Sequence, residues 1–246
     1  NVLLRQRALS MGYSLREWGI FTKDESTDFL AEGAEAVETE ADLFKFFKLS
    51  MIEPELREGF TEISLAQKGV LPKLIESSQI KGVFHNHTTL SDGTDTLEAM
   101  VGKAESLGWE YIGFADHSKA SFQANGLDES RVLSMINKIE AFNNSGNSSL
   151  TVFSGIECDI LKNGTLDLET SILEKLDYVV ASVHSSFSQS EKEMTARIIR
   201  AIEDPNVTML GHPTGRLLLK REPYKVNMNK IIDAAIANKV VIEINA

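Results

Sequence analysis

At 246 residues the chain is long enough to bury a substantial core, as one α/β barrel or as a barrel with a small appendage. Its single cysteine, Cys158, excludes an intrachain disulfide and fits a buried, inert thiol in a reducing cytoplasm. The formal charge of −11 argues against the broad basic face that long duplex nucleic acid requires, but not against a nucleic-acid end, because carboxylates in such number suit a site that gathers cations and, through them, a phosphate.

The start, Asn1-Val2-Leu3-Leu4-Arg5, is no signal peptide, and no apolar run approaches the roughly 20 residues that span a bilayer. The chain begins without Met and stops on the apolar run from Val240, so both ends are expected to be cut from a longer chain. Leu3, Leu4, Arg7, Ala8 and Met11 predict a helix closed at Gly12, followed by a short extended piece from Leu15 to Phe21. An acidic stretch from Asp24 to Glu40 leads to an apolar cluster of Leu43, Phe44, Phe46 and Phe47. Pro54 to Gly59 then reads as a linker. This first segment, 1–62, is too short for a rich core of its own and is expected to pack on a neighbour.

From about Lys81 strand and helix signals alternate. Val83-Phe84 leads into His85, and Tyr111 to Ala115 into Asp116-His117. Leu150 to Ile156 precedes Glu157, Tyr178 to Val183 precedes His184, and Val207 to Leu210 precedes His212. Each run has the length and apolarity of a buried strand, and each ends at a His or Glu. Between them, Leu97, Met100, Val101, Ala104 and Leu107 carry helical spacing, with Asp95 and Glu98 as a capping pair and Gly108 as a stop. Val132, Met135, Ile136 and Ile139 repeat that spacing, as do Met194, Ile198 and Ile202, and then Met228, Ile231, Ile232 and Ala235. Asn143 to Ser149 reads as a surface loop. Strands alternating with helices predict a parallel sheet, and polar residues arriving from many strand ends favour a closed barrel whose C-terminal mouth is the active face.

His85-Asn86-His87 follows a predicted strand, where residues two apart point to one side and can reach one ion. A lone histidine is more often a satisfied core or capping residue. All five histidines of this chain, however, fall at or just after strand ends. With Glu157 and Asp92 they form a mixed His/carboxylate donor set suited to zinc, manganese or iron. Asp92 is also a natural turn residue, Asp116 a candidate to orient His117 or cap a helix, and Asp159 is left open. Clustered ions of this kind activate water for hydrolysis of phosphate esters, or alternatively of amides or amidines. Arg216, Lys220 and Arg221 follow His212-Pro213 and are candidates to guide a phosphate; a solvated basic patch is the plainer reading.

The motifs His85-Asn86-His87-Thr88-Thr89-Leu90-Ser91-Asp92-Gly93, Ala115-Asp116-His117-Ser118, Gly155-Ile156-Glu157, Ser182-Val183-His184-Ser185 and Gly211-His212-Pro213 resemble the polymerase and histidinol phosphatase (PHP) family. Asn125-Gly126-Leu127 and Gly211 to Leu218 resemble the version that ends bacterial family X DNA polymerases, and Asn1 to Phe21 resembles the end of their thumb. The resemblance implies a distorted seven-stranded βα barrel over 63–246 that lacks its last strand here, after a thumb-like segment and linker over 1–62. It implies two to three divalent ions: one on His85, His87 and Glu157, a second on Glu157, His184 and His212, and a third on Asp92 and His117. The family's Asp-x-His pair on the last strand is not found in this sequence, which leaves two of those sites a ligand short. Asn125 joins Arg216 and Lys220 as a residue expected beside the substrate. The implied activity is metal-dependent phosphoester hydrolysis, 3′ to 5′ exonuclease and 3′ phosphatase action on DNA ends in repair, with an upstream polymerase core as partner. A stand-alone phosphatase for a small ester such as histidinol phosphate, or a non-catalytic structural domain, are the alternatives.

Overall fold

The computed structural model describes residues 2–23, 30–146, 148–217 and 219–244. The chain divides into two compact units, 1–75 and 76–246. The division falls later than the 62/63 boundary read from the sequence, because the helix Glu62–Lys68 packs Ala66 into the first unit's core.

In the first unit α1 (Val2–Ser10) ends before Gly12 as its periodicity predicts. The expected single extended piece is instead a hairpin, β1 (Tyr13–Arg16) paired antiparallel with β2 (Gly19–Thr22). Of the acidic stretch, residues 24–29 lie outside the described residues. Thr39 and Asp42 form a capping box that starts α2 (Glu40–Phe46), and Gly69, at φ +67°, ends α3 (Glu62–Lys68) in the left-handed conformation. Two expectations are corrected here. Pro54 to Gly59 is not a linker: Arg57 donates to the Ile52 carbonyl through Nε at 3.0 Å and pairs with Glu40 at 2.7 Å, so the segment is folded into the unit. Nor is the segment without a core, since Ala8, Ile20, Phe44, Phe47, Leu49, Ile52 and Ala66 are buried together.

The second unit is a curled sheet of six parallel strands, a half-barrel, in the order β3 (Gly82–Asn86), β4 (Tyr111–Phe114), β5 (Thr151–Asp159), β6 (Tyr178–Ser182), β7 (Met209–Leu210) and β8 (Val241–Ile242). Successive strands are joined through α4 (Leu97–Ser106), α5 (Glu129–Asn144), α6 (Thr170–Leu173), α7 (Glu191–Ile202) and α8 (Met228–Asn238). The sheet bends at β5, which pairs with β4 through 151–154 and with β6 through 155–159. Glu157 therefore lies inside a strand rather than after one, as the sequence reading had it.

Strand side chains alternate. On the helix side, Val152, Ile156, Val179, Ala181 and Leu210 pack with the α4, α5 and α7 residues whose spacing predicted them. On the concave side, Ala115, Tyr178 and Val180 form a separate cluster with Phe153 and Met209. Burial on both faces explains why the strands read as continuous apolar runs. Gly113 and Gly155 make this inner layer possible: a Cβ at Gly155 would fall 2.3 Å from the Tyr178 ring, and one at Gly113 2.4 Å from Phe84. The rings of Phe84, Tyr111, Phe153 and Tyr178 fill that space, with centroids 5.1 to 6.2 Å apart.

Two smaller readings also change. Thr96, not Asp95, caps α4 by accepting from the Ala99 N–H, because its β-region backbone aims the hydroxyl at that donor. Asn143 belongs to the last turn of α5, where its amide both accepts from and donates to the backbone of Val152, so the surface loop starts after it.

Candidate metal centre

Glu157 occupies the middle of the concave face, 1% exposed, on the strand where the sheet changes partners. Its Oε1 lies 2.7 Å from His212 Nε2 and 3.2 Å from both His85 Nε2 and His184 Nε2. Its Oε2 lies 2.9 Å from His117 Nδ1 and 3.6 Å from His87 Nε2. Four different strand ends thus send all five histidines to one buried carboxylate. Alternation explains the aim: His117 continues the line of β4 and bridges to Glu157 in parallel register. His85 reaches inward at a register irregularity in β3 with φ +61°, a left-handed backbone that a histidine adopts only when its surroundings hold it there.

Asp92 faces the same cluster from the loop after β3, its oxygens 3.6 Å from His87 Nδ1 and from His117 Nε2. That loop is set by Asp116, which is fully buried and accepts from Thr88 N–H (2.7 Å), Thr88 Oγ1 (2.8 Å), Ser91 N–H (3.2 Å) and Ser91 Oγ (2.5 Å). Asp116 is thus an anchor for the loop and not a ligand candidate. Asp159 lies 3.0 Å from His184 Nδ1 and accepts from Ser121 Oγ at 2.6 Å, an arrangement that fixes the ring with Nε2 toward Glu157.

Glu243, which sequence reasoning missed, completes the ring. Its Oε1 lies 2.7 Å from His85 Nδ1, and its Oε2 accepts from the His212 N–H at 2.8 Å. The signal was present: Glu243 follows the apolar run Val240 to Ile242 just as the other acidic and imidazole groups follow theirs.

Burial would lower the His85 and His184 pKa values, but the carboxylates beside them prevail. Glu157 and Glu243 raise His85 to about 9, and Asp159 and Glu157 raise His184 to about 10. His87 is pushed down by burial, against the pull of Glu157. Glu157 itself, although burial alone would raise it, is held far below the usual carboxylate range by hydrogen bonds from His117, His184, His212 and His85. Glu243 is lowered to about 2, burial being outweighed by His85 and the His212 N–H.

The donor set fits divalent cations. His85 with His87 and Glu157, His87 with Asp92 and His117, and His117 with Glu157 and His184 each bring donor atoms within 4.8 Å of one another. The buried Nδ1 of His87 has no hydrogen-bond partner among the described residues, as expected of a nitrogen whose natural partner is an ion. The first grouping coincides with one expected from the sequence; in the others His87 joins Asp92 and His117, and His117 joins Glu157 and His184. Arg216 and Lys220 are exposed on the loop after His212, whereas Arg221 is drawn inward, its Nε donating to the Gly215 carbonyl and its guanidinium 4.2 Å from the Phe187 ring centroid. Asn125 donates to the Leu90 carbonyl at 3.1 Å, tying its loop to the one that carries Asp92.

A model of the PHP domain matches residues 84–246, every residue of this cluster included. The chain belongs to the PHP family. Members of this family are metal-dependent phosphoester hydrolases. The DNA polymerase beta thumb model matches residues 1–58, the unit that precedes the PHP domain. Over its whole length the chain is 32% identical to the DNA polymerase/3'-5' exonuclease PolX of Bacillus subtilis and covers 42% of that protein. A "Probable phosphatase" of Caldicellulosiruptor saccharolyticus is 30% identical over 166 residues, which are 65% of this chain and 64% of that one. The chain thus spans less than two thirds of the length of these relatives. Among solved structures, histidinol phosphate phosphatase from Lactococcus lactis, complexed with zinc, L-histidinol and phosphate, aligns over 67% of this chain and 73% of its own, at 16% identity and a TM-score of 0.46. Among the described residues no helix is long and apolar enough to cross a membrane.

Proposed function

We propose that the PHP domain of this chain hydrolyses phosphoesters at DNA 3′ ends, as exonuclease and 3′ phosphatase, within a family X DNA polymerase acting in repair. One observation carries the hydrolytic part: Glu157 presents one oxygen to His85, His184 and His212 and the other to His87 and His117, so that one buried carboxylate and five imidazoles form a single donor set suited to divalent cations. The thumb-like unit and the full-length likeness to a polymerase with exonuclease in its name support DNA as the substrate.

Two to three divalent ions, manganese, zinc or iron, would be held by His85, His87, Asp92, His117, Glu157, His184 and His212. When bound there, they would supply water activated at neutral pH and charge to stabilise the departing oxygen. The protein's own part is orientation. Asp159 and Glu243 fix the rings of His184 and His85, Asp116 holds the loop of Asp92, and Arg216 and Lys220 offer charge to the strand's phosphates while Asn125 lines the approach.

The test is metal content followed by turnover. The purified chain, incubated with manganese, is expected to retain metal that His184→Ala loses, and to release mononucleotides from a single-stranded 3′ end. Turnover of histidinol phosphate without release of nucleotides would instead favour the small-ester phosphatase. Full metal loading with no ester hydrolysed would leave a structural domain.

A further inference from the structure

The chain leaves the metal centre after His117, makes a short excursion and returns: the Leu127 N–H donates to the His117 carbonyl at 2.7 Å, and Ser118 bridges to Leu127. The excursion is tightly built. Ser121 N–H donates to the Ser118 carbonyl at 3.0 Å, Ala124 N–H to Ser121 at 3.0 Å, and Gly126 N–H to Ser121 at 3.2 Å. A Cβ at Gly126 would fall 1.9 Å from the Ser118 carbonyl oxygen, so the return strand passes as close as glycine permits. Both flanks are pinned to elements that bear candidate ligands. Ser121 Oγ, buried, donates to Asp159 and lies 3.4 Å from His184 Nδ1, and Asn125 holds the Leu90 carbonyl two residues before Asp92.

At the tip of this loop stands Phe122, 89% exposed, while its neighbours Ser121 and Ala124 are buried. Among the described residues it is the most exposed aromatic side chain of the second unit. Its Cα is one residue, about 3.8 Å, from that of Ser121, whose hydroxyl touches the His184 and Asp159 pair. Scattered exposed apolar residues are ordinary on a protein surface. A backbone pinned on both flanks that presents a phenyl ring to water, one residue from the Ser121–His184 contact, is a different matter, because the loop carrying the ring is already fixed and its apolar surface has no partner among the described residues.

We propose that Phe122 is a stacking platform for the base of a nucleic-acid end, and so a residue that makes the site prefer a DNA strand to a small phosphate ester. The inference rests on the DNA-end reading above and deepens it. The exposed Arg216 and Lys220, on the loop that follows His212, supply the phosphate-directed charge that such a platform works with. Stacking of this kind tolerates any base, which suits an activity directed at ends of any sequence.

The experiment compares the wild-type chain with Phe122→Ala and Phe122→Trp. Affinity is measured by anisotropy of a labelled single-stranded oligonucleotide carrying either a normal or an abasic 3′ residue, with calcium present so that the result does not depend on turnover. Hydrolysis is measured separately with manganese, on the same strands and on glycerol phosphate, an ester with no ring to stack. Phe122→Ala is expected to weaken binding of the normal strand by about five- to a hundredfold, to abolish the difference between normal and abasic ends, and to leave glycerol phosphate hydrolysis unchanged; Phe122→Trp should retain wild-type preference. Equal affinity of wild type and Phe122→Ala for the normal strand overturns the inference, as does an equal loss on glycerol phosphate. If the wild type hydrolyses glycerol phosphate but no DNA strand, the DNA-end reading fails, whatever the anisotropy shows for Phe122.

Discussion

His85 and Glu243 stand on or just beyond the two edge strands of the sheet, β3 and β8, yet His85 Nδ1 and Glu243 Oε1 are 2.7 Å apart. The half-barrel is closed at its mouth by this side-chain contact between its first and last strands. Replacing Glu243 by Gln keeps the shape but removes the charge that orients and raises the basicity of His85. Metal affinity measured by calorimetric titration is expected to fall about 10- to 100-fold. Wild-type affinity in Glu243→Gln would show that the contact is merely structural.

The same pair makes the metal-free protein sensitive to pH. His85 and His184 are raised to about 9 and about 10, so the stability they contribute is fully present below 6.5 and is lost as pH rises through those values. Glu243 is lowered from 4.5 to about 2, so its contribution is present above 4.5 and lost as pH falls toward 2. Metal affinity runs the other way above 6.5, because the imidazoles must shed protons to bind. Urea denaturation in EDTA should show stability declining from pH 6.5 to 10, with the manganese-loaded protein declining less. A rise in the EDTA curve over that range would contradict the assignment.

Asp116 offers a test of the loop that carries Asp92. Asp116→Ala would strand buried donors on Thr88 and Ser91, each of which costs about 1 to 3 kcal/mol unpaired. We expect a loss of about 3 kcal/mol, read as a fall in Tm of roughly 10 °C. A variant that melts within a degree or two of wild type would mean that water replaces the carboxylate without cost.

Gly155→Ala tests the inner layer. Its Cβ would meet the Tyr178 ring at 2.3 Å, and overpacking of this kind costs about 1 to 3 kcal/mol or more. Gly102→Ala, on the open side of α4 where nothing lies within 4 Å, is the control and should be neutral or slightly stabilising. Equal melting of the two variants would refute the packing argument.

Much of the second unit was legible because its two-faced burial forces long apolar runs, and because each run ends on the mouth. The five histidines, Glu157 and Asp92 could therefore be read as one set. Glu243 was missed although it obeys the same rule, because its partners, His85 and His212, lie 158 and 31 residues away and no motif surrounds it. Asp116 reads from the sequence as orienting His117 or capping a helix, and Asp159 stays open, because their roles depend on partners 25 or more residues away, Ser91 and His184, that no local pattern reveals. In the first unit, the hairpin at residues 13–22 and the fold of Pro54 to Gly59 escaped for the same reason. The register of one is set by pairing, and the other is held by Arg57 reaching Glu40 and Ile52.

The aromatic layer beneath the histidines has an evolutionary consequence. Phe84, Phe153 and Tyr178 occupy the space that Gly113 and Gly155 leave open. Glycine and ring are matched in volume, so a side chain can be added at either glycine only where a ring opposite it shrinks. These positions are therefore expected to change together in evolution, as compensating pairs, and not one at a time.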